Sequence, residues 1–170
     1  MGSRKSTTCI STTTGTPLSE YESQQQAEAA KKAGVSLVTD LPSSAVRIEG
    51  DAALLSRVFA NLLGNAIRHT PAGGEVRIKI RTRGEHAYAK VSDTGEGIPE
   101  TARKRIFERF FRVDEARARN SGGCGLGLAI CKSLMEAHGG AILYRHRDEG
   151  GTTFELRLPL AESRLADSDA

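Results

Sequence analysis

The chain has 170 residues, enough for a single domain with a proper hydrophobic core and too few for a multidomain machine. Hydrophobic residues make up 38% of it, which excludes a disordered protein, and a net charge of only +3 gives no argument for nucleic-acid binding. Three cysteines without a CxxC motif argue against a disulfide framework or structural zinc. The sequence holds no apolar run of the roughly 18 residues that would cross a bilayer.

The N-terminal third predicts a leader, a helix and two strands. Residues 1–17 are rich in Ser and Thr and predict a flexible leader, because almost nothing apolar offsets the entropy of ordering them. Residues 18–33 are good helix formers that stop before Gly34, and they predict a peripheral helix. Short strands are expected within 35–42 and 45–50, around a Pro-Ser-Ser turn.

A core-facing helix is predicted over 51–69, where two apolar residues recur in every turn behind the N-cap Asp51. Asn61, Asn65 and Arg68 stand at i, i+4 and i+7, so they share one narrow arc beside the apolar stripe. Asparagines against an apolar face need polar partners. Either neighbouring backbone or a bound ligand would satisfy them.

Two antiparallel hairpins are predicted at 75–92 and 141–159, because apolar and polar residues alternate on both sides of glycine-containing turns. The remaining predicted elements are a glycine turn at 93–99, an amphipathic helix at 100–111, a polar segment, a helix near 125–138 and a polar tail at 161–170.

Two glycine-rich motifs suggest ligand chemistry. The motif DTGEGIP at 93–99 follows a strand directly, and such a turn lets backbone approach a flat ligand while Asp93 accepts from an exocyclic amine. The alternative is an ordinary strand-to-helix turn. The motif GGCGLG at 122–127 opens the last helix, where exposed amides favour an anion, although a plain loop explains it equally well. It is neither a Walker loop nor a dinucleotide fingerprint.

Five segments taken together are more specific. In chain order they read NLLGNAIRHTP, DTGEGIP, RIFERFFR, GGCGLGLAI and GGTTFELRLP. This series resembles the N box, first glycine box, F box, second glycine box and glycine-threonine element of the catalytic ATP-binding domain of bacterial sensor histidine kinases. The resemblance covers residues 34–160, which would form that domain.

The resemblance implies the fold shared by gyrase, MutL, the ATP-dependent heat-shock chaperones and these kinases. This fold is a two-layer α/β sandwich, in which about three helices cover one face of a mixed, largely antiparallel sheet. Residues 100–124 would form a mobile ATP lid anchored by Phe107, Phe110 and Phe111.

The resemblance also implies two cofactors, ATP and Mg²⁺. Asn65 is expected to ligate the magnesium ion, with Asn61 and Arg68 at the phosphate end completing the catalytic set. The other expected nucleotide contacts are His69 beside the nucleoside, Asp93 on the adenine amino group, Gly95, Gly97 and Ile98 around the ring, Thr153 at the back of the adenine pocket, Arg112 at the phosphates, and Gly123, Gly125, Leu126 and Gly127 in the second glycine box.

The implied reaction is transfer of the ATP γ-phosphoryl group to a histidine. None of the four histidines lies in the His-Glu-x-x-Thr-Pro context of a phosphoacceptor. The acceptor is therefore expected on a dimerisation domain outside this sequence, in the same or a partner kinase, for relay to a response-regulator aspartate. The chain would then be the catalytic domain of a longer receptor or a standalone enzyme acting on another chain. The expected setting is a cytoplasmic domain of a parent anchored in the inner membrane, with no nucleic acid and no direct membrane contact by the domain itself.

Three alternative functions are consistent with this fold or with nucleotide binding. They are an ATP-hydrolysing conformational clamp of the gyrase and MutL type, a noncatalytic nucleotide-binding module, and an anti-sigma-factor serine kinase. Asn61 discriminates against the clamp. Clamp ATPases have a glutamate general base at this position, and a carboxamide cannot accept a proton near neutral pH.

Overall fold

The computed structural model of the protein describes residues 10–12, 20–113 and 125–161, with side chains from residue 25 onwards. In chain order the elements are β1 (Ile10–Thr12), α1 (Glu20–Ala33), β2 (Ser36–Asp40), β3 (Val46–Ile48), α2 (Ala52–His69), β4 (Glu75–Arg83), β5 (His86–Asp93), α3 (Glu100–Arg103), α4 (Gly127–Ala137), β6 (Ala141–His146) and β7 (Thr152–Pro159).

The main sheet has five strands in the order β2-β4-β5-β7-β6. Strand β2 runs parallel to β4, and the other neighbouring strands are antiparallel. The two predicted hairpins, β4–β5 and β6–β7, lie side by side because β5 pairs with β7, with Ser92 opposite Thr153. This pairing brings the end of β5 to the start of β7.

Helices cover one face of this sheet, and α2 lies at the centre. Its N-cap Asp51 accepts a hydrogen bond from the Leu54 amide at 3.0 Å. Helix α2 contacts α1, α4 and the strands β4 and β5. Its buried residues are Leu55, Val58, Phe59, Leu62, Leu63, Ala66 and Ile67, the stripe predicted from the sequence. They form the core together with inward-facing residues of the sheet.

The mixed, largely antiparallel sheet with helices on one side confirms the predicted fold class. Among the described residues, no helix has the length and apolar character needed to cross a bilayer.

Two local predictions differ from the structure. Residues Ile10–Thr12 were expected in a flexible leader, yet they form β1, which pairs in parallel with β3. The pairing uses backbone hydrogen bonds, which a Ser- and Thr-rich composition does not reveal. The helix expected over 100–111 is helical only at Glu100–Arg103 and continues as turns. Its C-terminal part includes Phe110 at a φ of 64°, a left-handed conformation that no α-helix contains.

Candidate nucleotide-binding site

A buried carboxylate lies where β5 ends. Asp93 is only 5% exposed, and its Oδ1 accepts hydrogen bonds from the amides of Gly95 at 2.9 Å and Thr152 at 3.1 Å. Its Oδ2 accepts no hydrogen bond from the described residues. One oxygen is therefore fixed by the protein, and the other can accept from a ligand.

Burial raises the pKa of Asp93, because desolvation disfavours the charged form. Hydrogen bonds from the amides of Gly95 and Thr152, and the neighbouring side chains of His69 and Arg147, lower the Asp93 pKa. The carboxylate is thus held in an environment where an additional hydrogen-bond donor would stabilise its ionised form.

Glycines allow backbone to close around Asp93. At Gly151, with φ of 88°, a Cβ would overlap the Asp93 carbonyl oxygen, and at Gly95 it would overlap the His69 carbonyl oxygen. Gly97 has a φ of 76°, and a Cβ there would lie 3.1 Å from the carbonyl oxygen of Gly151. The first glycine box therefore packs against the end of α2 on one side and the start of β7 on the other.

Helix α2 connects this carboxylate with the second glycine box. Nδ2 of Asn61 donates to the carbonyl of Gly127 at 3.0 Å, and a Cβ on Gly127 would lie 2.7 Å from Oδ1 of Asn61. His69, eight residues later, touches Gly95. Eight residues span about 12 Å along a helix. The predicted N box thus runs between the two glycine boxes.

Asn65 lies midway along that span. Its side chain is partly buried and makes no hydrogen bond with any described residue. Arg68 and His69 are exposed at the end of the same helix. The structure therefore places the predicted helix residues along α2 between the two glycine boxes, and within the described part of the chain the carboxamide of Asn65 has no hydrogen-bond partner.

The second glycine box meets the F box. The amide of Phe110 donates to the carbonyl of Gly125 at 3.0 Å, and a Cβ on Gly125 would lie 2.9 Å from the Phe110 carbonyl carbon. Leu126 is the partly buried N-cap residue of α4. Gly125 and Gly127 thus have packing reasons for lacking a side chain. Gly123 lies outside the described residues, as does the part of the expected lid at 114–124.

The three F-box phenylalanines differ. Phe107 packs edge-on against Phe154, with ring centroids 6.2 Å apart, and Phe111 lies under the guanidinium of Arg105 at 4.5 Å. The side chain of Phe110 is 71% exposed, so the expectation that it anchors the lid is wrong; Phe110 contributes its backbone amide instead. Ile98, expected as a wall of the adenine pocket, is partly buried against the core.

The placement of Thr153 in the adenine pocket is wrong. Thr153 pairs with Ser92 across the strands, and its hydroxyl donates to Ser92 Oγ at 2.8 Å. Side chains alternate along a strand, so Ser92 and Thr153 face away from Asp93. The neighbouring Thr152 supplies the amide that reaches the Asp93 carboxylate.

Two further residues at the site have no clear sequence signal. Arg147 donates from its guanidinium to the Asp93 carbonyl at 3.1 Å. Arg103 donates from Nε to the Ile98 carbonyl at 3.1 Å and lies over the Tyr144 ring. Arg112, an expected phosphate contact, is partly buried near the end of the second described range. Backbone carbonyls such as those of Asp93 and Ile98 carry no side-chain signature, so no spacing rule indicates these partners.

Comparison with known proteins identifies the family. A family model described as histidine kinase-, DNA gyrase B- and HSP90-like ATPase matches residues 50–162. The chain belongs to this family and is a catalytic ATP-binding domain of the sensor histidine kinase type.

The relatives agree on this subclass. The sensor-like histidine kinase SenX3 of Mycolicibacterium smegmatis is 44% identical over 131 residues, which cover 77% of this chain and 34% of SenX3. The sensor histidine kinase WalK of Bacillus subtilis is 38% identical over 144 residues, 84% of this chain and 24% of WalK. The chain therefore spans about a third or less of these relatives.

Solved structures of histidine kinases also resemble this chain. A mycobacterial sensor histidine kinase, MprB, superposes with a TM-score of 0.71 at 30% identity, covering 82% of this chain and 93% of that one. Full-length ShkA, solved in complex with AMPPNP, gives a TM-score of 0.68 at 32% identity, covering 84% of this chain and 30% of ShkA.

The donor set fits a magnesium ion held jointly with phosphates better than one held by protein alone. Among the described residues, no three His, Cys, Asp or Glu side chains come together as a metal site. Mg²⁺ keeps several waters and binds through one or two protein oxygens plus substrate phosphates. The carboxamide oxygen of Asn65, which accepts no hydrogen bond from the described residues, is an oxygen donor of this kind.

Proposed function

We propose that this domain binds Mg-ATP and transfers the γ-phosphoryl group to a histidine on a dimerisation domain, for relay to a response-regulator aspartate. The observation that carries the proposal is the buried Asp93 carboxylate, in which two amides hold one oxygen and no described residue donates a hydrogen bond to the other. A carboxylate in this setting selects a base with an exocyclic amine, as adenine has.

Around that carboxylate we assign the remaining roles along α2 and the two glycine boxes. Gly95, Gly97 and Ile98 would border the adenine, and His69 would lie beside the nucleoside. The phosphate contacts we propose are Arg68, Arg112 and the second glycine box, Gly123, Gly125, Leu126 and Gly127. The domain would extend over residues 34–160, with 18–33 as a peripheral helix.

Asn65 is the side chain that we propose as the magnesium ligand. When bound, the ion would neutralise charge on the phosphates during transfer. The chain's own contribution is positioning: Asp93 fixes the base, and α2 aligns the phosphates towards an external acceptor. A neutral imidazole carries a nucleophilic lone pair, so transfer to histidine needs no general base from this domain.

Asn61 favours transfer over hydrolysis. Its carboxamide is engaged with the Gly127 carbonyl and cannot accept a proton from an attacking water. General-base catalysis contributes roughly 10²–10⁴-fold, which sets the expected deficit in hydrolysis relative to a clamp ATPase. We infer slow ATP hydrolysis by the isolated chain.

The partners and location follow from the same proposal. We propose that the parent protein is a sensor kinase anchored in the inner membrane, with this domain on the cytoplasmic side. In such a protein, the dimerisation domain and the response regulator are the macromolecular partners, and nucleic acid is not one.

A phosphotransfer assay tests the proposal. The chain is mixed with γ-labelled ATP and the separately produced dimerisation hairpin of a relative such as WalK, alongside a hairpin whose phosphoacceptor histidine is replaced by alanine. We expect label on the native hairpin only, and none when Asn65→Ala replaces the wild-type chain. Rapid phosphate release without transfer would instead support the clamp, and binding without either would support a noncatalytic module.

A further inference from the structure

The β6–β7 turn contacts Asp93 at three points, although it is more than 50 residues away in sequence. The guanidinium of Arg147 donates to the Asp93 carbonyl at 3.1 Å, and the Thr152 amide donates to Oδ1 at 3.1 Å. Gly151 packs against the same carbonyl oxygen so closely that no side chain fits there. The turn therefore holds both the backbone and the carboxylate of Asp93.

The position of Arg147 is itself constrained. Its side chain is 28% exposed, and its second nitrogen lies 3.7 Å from the carboxylate of Glu149, which is almost fully exposed. The carbonyl of Arg147 accepts from the Gly150 amide at 3.2 Å, which closes the turn. A guanidinium that is partly shielded and tied to a backbone carbonyl acts on neighbouring charges more strongly than a free surface arginine.

We propose that Arg147 is a positioning residue for nucleotide recognition, which holds the Asp93 backbone in place so that its carboxylate accepts from adenine. The inference rests on the proposed function, because it assumes that adenine binds at Asp93. Arg147 itself need not touch the nucleotide.

The electrostatics of the site agree with this role. The charged groups that act on Asp93 are Arg147 from the turn and His69 from the end of α2, and both lower its pKa against the opposing effect of burial. Removal of the Arg147 guanidinium should therefore raise the pKa of Asp93 further, so that the carboxyl takes up a proton at a higher pH.

Arg145 provides a matched control. It lies two residues earlier in the same hairpin and carries the same charge, but its guanidinium contacts Glu155 at 3.4 Å. No contact joins Arg145 to Asp93 in the described structure. Arg145→Gln thus removes the same charge from the hairpin without touching the Asp93 site, whereas Arg147→Lys keeps the charge at the site.

The experiment measures ATP affinity by calorimetry between pH 5 and pH 8 for the wild type, Arg147→Gln, Arg147→Lys and Arg145→Gln. We expect Arg147→Gln to bind ATP about three- to tenfold more weakly at pH 7, the effect of one lost hydrogen bond. As the pH is lowered, the ATP affinity of Arg147→Gln should begin to fall at a higher pH than the affinity of the wild type. Arg147→Lys should restore part of this shift, and Arg145→Gln should match the wild type.

A second readout does not depend on nucleotide. In the empty protein, the ¹³C resonance of the Asp93 carboxyl should titrate at a higher pH in Arg147→Gln than in Arg145→Gln. If ATP binds but the two variants agree at every pH, the role of Arg147 is refuted while the proposed function stands. If the wild-type chain binds no ATP, the proposed function fails, and with it the recognition role of Arg147, even where the carboxyl titration shifts.

Discussion

The side chain of Asn61 donates a hydrogen bond to the backbone carbonyl of Gly127, with 3.0 Å between Nδ2 and the oxygen. This contact joins the middle of α2 to the first residue of α4, two of the helices that cover the sheet. It makes Asn61 a structural link between the N box and the second glycine box. The link has a direct test.

Gly127→Ala should lower the free energy of unfolding by about 1 kcal/mol, the usual worth of one hydrogen bond. The added Cβ would lie 2.7 Å from Oδ1 of Asn61, which must move and lose its contact. Gly64→Ala is the control, because Gly64 is inside α2 with nothing within 4 Å of its Cβ position. That variant should gain up to about 1 kcal/mol from helix propensity. Urea denaturation measures both, and a Gly127→Ala variant as stable as the wild type would refute the link.

Asn65→Ala should remove the magnesium-dependent part of ATP binding, since no other described residue hydrogen-bonds its carboxamide. We expect a loss of about tenfold in affinity, or about 1.4 kcal/mol. Asn65→Asp keeps an oxygen ligand and should retain most of the dependence. Calorimetry with and without a chelator measures the magnesium-dependent part of the ATP affinity. If chelator weakened binding equally in the wild type, Asn65→Ala and Asn65→Asp, Asn65 would be excluded from the metal site.

Asp93→Asn should weaken ATP binding far more than GTP binding. Guanine presents a carbonyl where adenine has its amino group, so only adenine pairs well with a carboxylate. A mispaired buried group costs about 1–3 kcal/mol, which is roughly 5- to 150-fold. Asp148→Asn, at a fully exposed position, is the control and should change neither affinity. A wild-type chain that does not discriminate between ATP and GTP would argue against this pocket.

Asp93→Asn should also stabilise the nucleotide-free domain against unfolding. Burial raises the folded-state pKa of Asp93 above its ordinary value of 3.8. The protonated side chain therefore favours the folded state below pH 3.8, and this contribution to the free energy of unfolding is lost as the pH rises through the folded-state pKa. At pH 7 Asp93→Asn should therefore unfold at a higher temperature than the wild type. The difference should shrink as the pH falls towards 3.8. Thermal unfolding across this range without nucleotide tests it, and a pH-independent difference would contradict the assignment.

Gly151→Ala should disturb Asp93, whereas Gly150→Ala should not. Both glycines have φ near 90°, so each substitution carries a backbone cost of about 1–2 kcal/mol. Only the Cβ at Gly151 would also overlap the Asp93 carbonyl oxygen; at Gly150 the nearest atom is 3.9 Å away. Gly151→Ala should therefore lower both stability and ATP affinity more than Gly150→Ala. Equal losses in the two variants would mean that this contact has no effect.

Elements with regular periodicity were predictable from the sequence. The alternation of apolar and polar residues predicted the hairpin at 75–92, which the structure forms with β4 and β5, and the apolar stripe of α2 predicted its buried face. The glycine turn after β5 allowed either an ordinary strand-to-helix turn or a ligand site, and the resemblance to sensor histidine kinases implied that Asp93 accepts from adenine. The structure buries Asp93, and no described residue donates a hydrogen bond to its Oδ2; its role as a ligand group stays a prediction.

Other features depend on partners that local sequence does not reveal. Thr152 and Thr153 are identical neighbours, so only the register with β5 decides which one faces Asp93. Phe110 has an aromatic side chain typical of a core, but its left-handed backbone turns it to solvent. Arg147 meets a backbone carbonyl 54 residues earlier, and a main-chain acceptor has no signature in any side-chain pattern.

The hydrogen bond between the amide of Phe110 and the carbonyl of Gly125 holds these two residues side by side, although 14 residues separate them in the sequence. A segment inserted between fixed neighbouring ends can change in length at little thermodynamic expense, because doubling a loop adds only about 0.6 kcal/mol of closure entropy. We therefore expect that changes of length between these two residues cost the domain little stability and leave Asp93 and the sheet as they are.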